Sequence, residues 1–95
     1  MTDIRRFEWN EGKASSNLDK HGVSFADSVR VFRDPNLVEL DASRPEDREP
    51  RTKPLGEIQG RLFAVIYTMR AGSTRIISGR RGNPTEGRLY GPLRD

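Results

Sequence analysis

The sequence predicts an α+β fold, with a short N-terminal strand, two helices, an antiparallel sheet of three or four strands and a short C-terminal helix. Three observations predict it. Capping residues and an apolar stripe between positions 10 and 34 indicate the two helices, and a continuous apolar segment at 61–69, followed by a tight turn and another strand, indicates the sheet. An Asn-Pro pair at 83–84 indicates the start of the last helix. A length of 95 residues suits one domain, so we expect a single unit over 1–95.

The first two elements are a strand and a helix. Phe7 and Trp9 flank a glutamate, which is typical of a short strand with both rings on one face. Asn10 is a favourable N-cap for a helix over about 11–20, and Gly22 suits the left-handed position that follows its end.

A second helix follows at once. Ser24 is its N-cap, an aspartate three residues later resembles a capping box, and Asp34-Pro35 stops the helix. The apolar stripe of this helix consists of Phe25, Val29 and Phe32.

The sheet is predicted from the middle of the chain. We expect strands at 37–41 and, more weakly, at 55–59, separated by a charged, proline-rich and mobile loop at 42–54. The segment 61–69 is apolar on both faces and therefore central in the sheet, and 74–80 returns antiparallel to it after a tight turn.

The last helix is the weakest element. Asn83 can cap it and Pro84 fits its first position, but Gly87 within it costs about 1 kcal/mol relative to alanine. We expect the helices to cover one face of the sheet, and this segment needs such packing to be stable.

Composition excludes several classes of function. The chain has no cysteine and one histidine, so we expect no disulfide, no metal site and no cofactor. The acidic residues of the 42–54 loop alternate with arginines that largely neutralise them. No apolar run is long enough for a signal peptide or a membrane span, and a cytoplasmic location is the default interpretation.

The net charge of +3 is unevenly distributed. Residues 1–69 hold 11 Lys and Arg against 12 Asp and Glu, whereas residues 70–95 hold six arginines against two acidic residues. Because arginine pairs bidentately with phosphate, this segment indicates a polyanionic partner such as nucleic acid. A solvated surface is the alternative interpretation.

The single histidine, His21, closes a polar row on the first helix. Lys13, Asn17 and His21 are four residues apart, which stacks them on one face. An imidazole with a pKa of about 6.5 suits general acid or base catalysis. Alternatively, the imidazolium only stabilises the helix C-terminus through the helix dipole, by about 0.3–1 kcal/mol.

The arginines of the strand at 74–80 are candidates for holding a phosphate. Strict alternation puts Arg75 and Gly79 on one face and Ser78 and Arg80 on the other. Arg80 and Arg81 directly precede the last helix, whose N-terminus favours anions. A charged sheet edge that discourages association is the alternative.

Glu86 and Tyr90 are four residues apart on the last helix and can share a face. Both can contact a nucleotide: Glu86 can act as a base, and Tyr90 can stack on a nucleobase or donate a hydrogen bond from its hydroxyl. In the alternative, the Tyr90 ring packs on the sheet and Glu86 pairs with an arginine such as Arg80.

Three blocks in this order resemble the BrnT family of type II toxin–antitoxin systems: FEWNEGKASSNLDKHGVSF, then VFRDP, then RIISGRR and TEGRLY. The resemblance runs from Phe7 to Tyr90. It implies a RelE-like ribonuclease fold and metal-independent cleavage of RNA that inhibits translation. It also implies a cognate BrnA-type antitoxin of the ribbon-helix-helix class. In that case the antitoxin contacts operator DNA, and the toxin does so only indirectly, through the antitoxin.

The matching positions define a candidate site. We expect His21 to act as acid or base, Glu86 as its partner, and Arg80 on the scissile phosphate, which makes these three the catalytic candidates. The residues expected to bind RNA are Lys13, Lys20, Arg75, Arg81 and Tyr90.

Departures from the family pattern leave other functions open. Gly79 stands for an alanine, which is expected to loosen the end of the strand; Gly87 stands for an arginine, and Gly91-Pro92 truncates the last helix. These changes reduce the number of basic side chains at the C-terminal surface, where contact with a substrate or an antitoxin is expected. A homologue without catalysis, which binds an antitoxin and tunes operon repression, is therefore the alternative, and a general RNA-binding module is a third.

Overall fold

The computed structural model describes residues 5–93. Its helices are α1 (Glu11–His21), α2 (Phe25–Ser28), a 3-10 helix (Val29–Arg33) and α3 (Pro84–Tyr90). Its strands are β1 (Phe7–Glu8), β2 (Val38–Asp41), β3 (Thr52–Ile58), β4 (Arg61–Arg70) and β5 (Ser73–Arg81). The α+β class predicted from the sequence is confirmed. None of these helices has the length and apolarity needed to cross a membrane.

The described strands form one five-stranded sheet in the order β1-β5-β4-β3-β2. β1 runs parallel to β5, with Phe7 opposite Thr74, and the other neighbouring strands are antiparallel. The sheet is larger than the three or four strands expected, because the N-terminal strand joins it. The central position predicted for 61–69 is confirmed, since β4 is third of the five described strands.

The loop expected at 42–54 is shorter in the structure. β3 begins at Thr52, where the chain pairs with Asp41 of β2 and continues the ladder. Arg44 of the loop lies 2.9 Å from Asp47 and 3.7 Å from Glu46, and Arg70 of β4 lies 2.5 Å from Glu49. Each acidic residue of the loop is therefore paired with an arginine, as the sequence predicts.

The predicted limits of α1 are confirmed. The side-chain oxygen of Asn10 accepts a hydrogen bond from the N–H of Lys13 at 3.0 Å. Gly22 ends the helix with a φ of 70°, and its N–H donates to the carbonyl of Leu18 at 2.8 Å. Both caps satisfy backbone groups that a helix end would otherwise leave open.

The second predicted helix is only partly α-helical. The Ser24 hydroxyl accepts a hydrogen bond from the N–H of Asp27 at 3.0 Å, as expected of an N-cap. One α-helical turn then tightens into the 3-10 helix, which ends before Asp34. The β-branched residues Val29 and Val31 have low α-helical propensity, which is consistent with the change.

Helices cover both faces of the sheet, which corrects the expectation that they cover one. α1, α2 and the 3-10 helix pack on one face, around a core that includes Phe25, Val31 and Ile76. α3 packs on the other face, where Tyr90 contacts Leu55 and Ala64. These two faces are named the α1 face and the α3 face below.

Candidate functional site

The polar row predicted on α1 lines a groove of about 420 Å³ beside β5. Its walls include Lys13, Lys20 and His21 from the helix, and Ile77 and Ser78 from the strand. His21 is exposed at the last position of α1, and the backbone turns away directly after it. The structure therefore brings together the imidazole and both lysines of the candidate site.

Asn17, which belongs to the same row, attaches α1 to the sheet. It is 7% exposed, and its side chain meets both backbone groups of Gly79: the Gly79 N–H donates to Oδ1 at 3.2 Å, and Nδ2 donates to the Gly79 carbonyl at 2.8 Å. Nδ2 also donates to the carbonyl of Val23 at 2.9 Å. In the described part of the chain, β1 pairs with β5 only at Thr74 and Arg75, so the backbone of β5 at Gly79 has no neighbouring strand on that side. The Asn17 amide makes the hydrogen bonds that such a strand would otherwise make.

Gly79 allows this close approach. A Cβ at this position would lie 2.0 Å from the Oγ of Ser28 and 3.0 Å from its Cβ. Ser28 is fully buried, and its hydroxyl donates to the carbonyl of Ser24 at 2.9 Å. The expectation that glycine loosens the end of the strand is therefore wrong, because here it permits tight packing of β5 against α2.

A β-bulge changes which face the arginines of β5 occupy. Ile76 and Ser78 pair with consecutive residues of β4, so Ile77 stands between them as an extra residue in the described ladder. The bulge reverses the side-chain alternation. Arg75, Ser78 and Arg80 therefore share the α3 face, whereas strict alternation placed the two arginines on opposite faces.

Glu86 forms a bidentate ion pair with Arg80 on the α3 face. NH1 of Arg80 donates to Oε1 at 2.8 Å and NH2 donates to Oε2 at 2.7 Å, while Nζ of Lys53 lies 2.8 Å from Oε2. The N–H of Asn83 donates to Oε1 at 3.0 Å and completes a capping box at the start of α3. The structure thus confirms the interpretation in which Glu86 pairs with Arg80.

These contacts decide the protonation state of Glu86. The hydrogen bonds from Arg80 have the largest effect and, with those from Lys53 and Asn83, outweigh the cost of burial and lower the pKa of Glu86 to about 2. A carboxylate this acidic is a poor proton acceptor near neutral pH. The same ion pair raises the pKa of Arg80 above its ordinary value.

Tyr90 is buried rather than open to a nucleotide. Its ring packs on the sheet and its hydroxyl donates to Asp34, which confirms the packing interpretation. The burial gives no support to the expected role of Tyr90 as a stacking platform for a base.

The other arginines of the candidate site have contacts of their own. Arg75 donates to Glu8 at 2.6 Å, and the guanidinium carbon of Arg81 lies 5.6 Å from the ring centroid of Phe63. Arg94, which contributes to the basic C-terminal segment, lies outside the described residues.

The candidate residues form two groups that meet at Ser78. His21 and the two lysines line the α1 groove, which Ser78 also lines. Arg80 does not line this groove, but the strand pairing puts its side chain on the same face of β5 as that of Ser78. Asn17 contacts Gly79, the neighbour of Arg80, and His21 lies one helical turn (about 5–6 Å) beyond Asn17. Since α1 and α3 pack on opposite faces, the structure does not pair His21 with Glu86.

The groups at this edge of β5 suit chemistry on a phosphate. An imidazole can transfer protons, and guanidinium and ammonium groups can stabilise negative charge on phosphorus. Within residues 5–93, no group of three or more His, Cys, Asp or Glu side chains is placed to hold a metal ion.

Comparison with known families agrees with this chemistry. A family model described as "Ribonuclease toxin, BrnT, of type II toxin-antitoxin system" matches residues 9–86, most of the chain. The matched segment contains the α1 groove and β5, and it ends at Glu86. No curated protein matches the sequence.

Proposed function

This chain belongs to the BrnT family of ribonuclease toxins of type II toxin–antitoxin systems, and we propose on that basis that it cleaves RNA without a metal ion and thereby inhibits translation. The observation that supports this proposal is the groove beside β5. There the His21 imidazole and two lysines lie next to the strand that carries Arg75 and Arg80.

Cleavage of RNA without a metal uses the ribose 2′-OH as the nucleophile. A base removes its proton, the 2′-oxygen attacks phosphorus, and an acid protonates the departing 5′-oxygen, which leaves a 2′,3′-cyclic phosphate and a 5′-hydroxyl. Cations stabilise the charge that develops on the phosphate oxygens. We assign one proton transfer to His21 and the phosphate to Arg80.

The remaining cations would bind the RNA on either side of the cleaved bond. Lys13 and Lys20 lie in the groove with His21, and Arg75 shares the α3 face with Arg80. Arg81 follows at the exposed end of β5. Phosphate contacts of this kind supply affinity without sequence specificity.

An antitoxin partner follows from membership of a type II family. We propose that this partner is a BrnA-like ribbon-helix-helix protein encoded beside the toxin, and that operator DNA is contacted only through it. The proposed place of action is the cytoplasm, where translation takes place. A short ribbon-helix-helix reading frame next to this one would support the pairing.

The first test replaces the imidazole. We expect His21→Ala to abolish growth arrest on expression and to reduce RNA cleavage at least about a hundredfold, because positioned acid–base groups contribute roughly 10²–10⁴-fold. His21 is exposed, so the fold should be retained. Asp19→Ala is the matched control, since Asp19 is exposed on the same helix and does not line the groove. Full toxicity of the His21 variant would remove it from the mechanism.

The second test separates catalysis from binding alone. Purified protein is incubated with total RNA in the presence and absence of a chelator. Cleavage that persists in chelator supports the proposal, and cleavage that the chelator stops contradicts its metal independence. Absence of cleavage under both conditions favours the alternative, an antitoxin-binding homologue without catalysis. The observation behind that alternative is Gly87, where the family pattern has arginine and where a Cβ would meet no atom within 4 Å.

A further inference from the structure

Two cations share one carboxylate oxygen on the α3 face. Nζ of Lys53 and NH2 of Arg80 both contact Oε2 of Glu86, at 2.8 and 2.7 Å. The two cationic groups therefore contact the same atom, although β4 separates their strands. Lys53 comes from a part of the chain that the sequence assigned to a loop, so no role was expected for it.

The cluster keeps a net positive charge, since one carboxylate faces two cations. The Glu86 side chain is 3% exposed, whereas those of Lys53 and Arg80 are 23% and 35% exposed. The negative charge is thus hidden beneath α3 while both cations reach the surface. An ammonium and a guanidinium each have more donors than Glu86 can occupy, so both can bind a phosphate oxygen as well.

The surroundings of the cluster extend this cationic surface. The bulge at Ile77 puts Arg75 and Ser78 on the same face as Arg80, and Ser78 also lines the groove that contains His21. β-Bulges are enriched next to active sites, where they redirect a side chain. A phosphate held by Arg80 would therefore have Lys53 on one side and the edge of β5, with the α1 groove, on the other.

We propose that Lys53 is a further RNA-contacting residue, which binds the same phosphate region as Arg80, and that Glu86 is the positioning residue that holds both cations. This inference rests on the proposed function, since it assigns residues to the same RNA site. In it Glu86 exchanges no proton with the substrate. Its carboxylate fixes the directions of the two cations before the RNA arrives, which reduces the ordering that binding would otherwise require.

Binding to uncleavable RNA tests the role of Lys53. The probe is a short fluorescent single-stranded RNA whose 2′-hydroxyls are methylated, and its dissociation constant is measured at several salt concentrations. We expect Lys53→Met to weaken binding about ten- to hundredfold and to lower the slope of log K against log salt by about 0.7, as loss of one phosphate contact to a single strand requires. Lys53→Arg should retain most of the affinity.

Arg33→Met is the matched control, because Arg33 is an exposed cation of the 3-10 helix on the α1 face. We expect it to leave the affinity within about twofold of the wild type and to change the salt slope by much less than the decrease of about 0.7 expected for Lys53→Met. If Lys53 only supported the fold, Lys53→Met would lower the melting temperature and leave the affinity and slope of the folded protein unchanged. That result would overturn the inference.

Glu86→Gln tests positioning against simple neutralisation. Removing the carboxylate charge adds one net positive charge to the site, so neutralisation alone predicts tighter RNA binding with no loss of kcat. Positioning predicts that kcat for cleavable RNA, expressed per folded enzyme with the folded fraction measured by circular dichroism under the assay conditions, falls at least about tenfold while KM does not rise. An unchanged or higher kcat would overturn this role.

Failure of the inference is distinguishable from failure of the proposed function. If the wild type cleaves RNA and Lys53→Met binds and cleaves equally well, only the inference fails. A wild type that neither binds nor cleaves RNA contradicts both.

Discussion

Glu86 is an ionised carboxylate in a place where almost no water reaches it. It is 2% exposed and remains charged because Arg80, Lys53 and the N–H of Asn83 donate to it. A buried charge is tolerated only with such partners, and removing one of them leaves the rest uncompensated. The sequence identified Glu86 as a candidate site residue, but its role depends on three hydrogen-bond donors that only the fold brings next to it.

The low pKa of Glu86 predicts how stability depends on pH. Its pKa is about 2 in the folded protein against an ordinary value of 4.5. Because the folded form binds the proton less readily, the stabilisation is complete above about pH 4.5 and is lost as the pH falls towards 2. Its size is on the order of 3 kcal/mol, from about 1.4 kcal/mol per pKa unit.

We therefore expect Glu86→Gln to be less stable than the wild type at pH 7, with the difference shrinking between pH 4.5 and 2. Urea denaturation of both proteins at several pH values measures it. The carboxylates of Asp47 and Glu49 also have lowered pKa values, but they are present in both proteins and cancel in the difference. A stability difference that does not change with pH would contradict the assignment.

At the scale of elements, β5 is the strand on which the site is built. Its existence followed from its apolar pattern and from the tight turn before it. Its bulge did not, since a bulge is defined by how a strand pairs with its neighbour and not by its own residues. The attachment of α1 through Asn17 was equally hidden, because the contact spans 62 positions of the chain.

The packing of β5 against α2 predicts the effect of one methyl group. Gly79→Ala should destabilise the protein by about 1–3 kcal/mol, because the new Cβ would lie 2.0 Å from the Ser28 hydroxyl. Adding Ser28→Ala removes the closest atom, the Ser28 Oγ. The double variant should therefore lose less free energy of unfolding than the sum of the losses in the two single variants.

Urea denaturation of the two single variants and the double variant gives the coupling. Gly87→Ala is the control, since nothing lies within 4 Å of a Cβ built there, and we expect it to be neutral or to stabilise by about 0.4–1 kcal/mol. A Gly79→Ala protein as stable as the wild type would contradict this prediction, since it would mean that α2 can shift away from β5 without loss of free energy of unfolding.

At the scale of the whole molecule, the two cores share one sheet. Phe25 and Ile76 belong to the core on the α1 face, while Leu55 and Tyr90 belong to that on the α3 face. Since β3, β4 and β5 contribute to both faces, neither layer can open without disturbing the strands of the other. The single domain expected over 1–95 stays a prediction.

Cooperative unfolding tests that prediction. Trp9 is the only tryptophan of the chain, and its ring lies edge-on to Phe25 with centroids 6.0 Å apart. Its fluorescence reports on the α1 face, whereas far-ultraviolet circular dichroism reports on all elements. We expect coincident denaturation midpoints from the two signals. Two separated transitions would instead indicate independent units.

The sequence by itself determined the order of most elements and the limits of α1, although the second helix and β3 differ from their predicted bounds. Asn10 and Gly22 bound α1, Ser24 starts α2, and the apolar segment at 61–69 becomes the central strand, because caps, turns and apolar periodicity act within a few residues. The family could also be identified from its motifs.

Only the tertiary structure decided which groups meet. The pairing of β5 with β4 introduced the bulge that puts Arg75 and Arg80 on one face, and the docking of α3 on the second face of the sheet buried Glu86 between Arg80 and Lys53. Such contacts join residues far apart in the chain, and their geometry depends on strand register and on helix docking, which no local pattern of residues specifies.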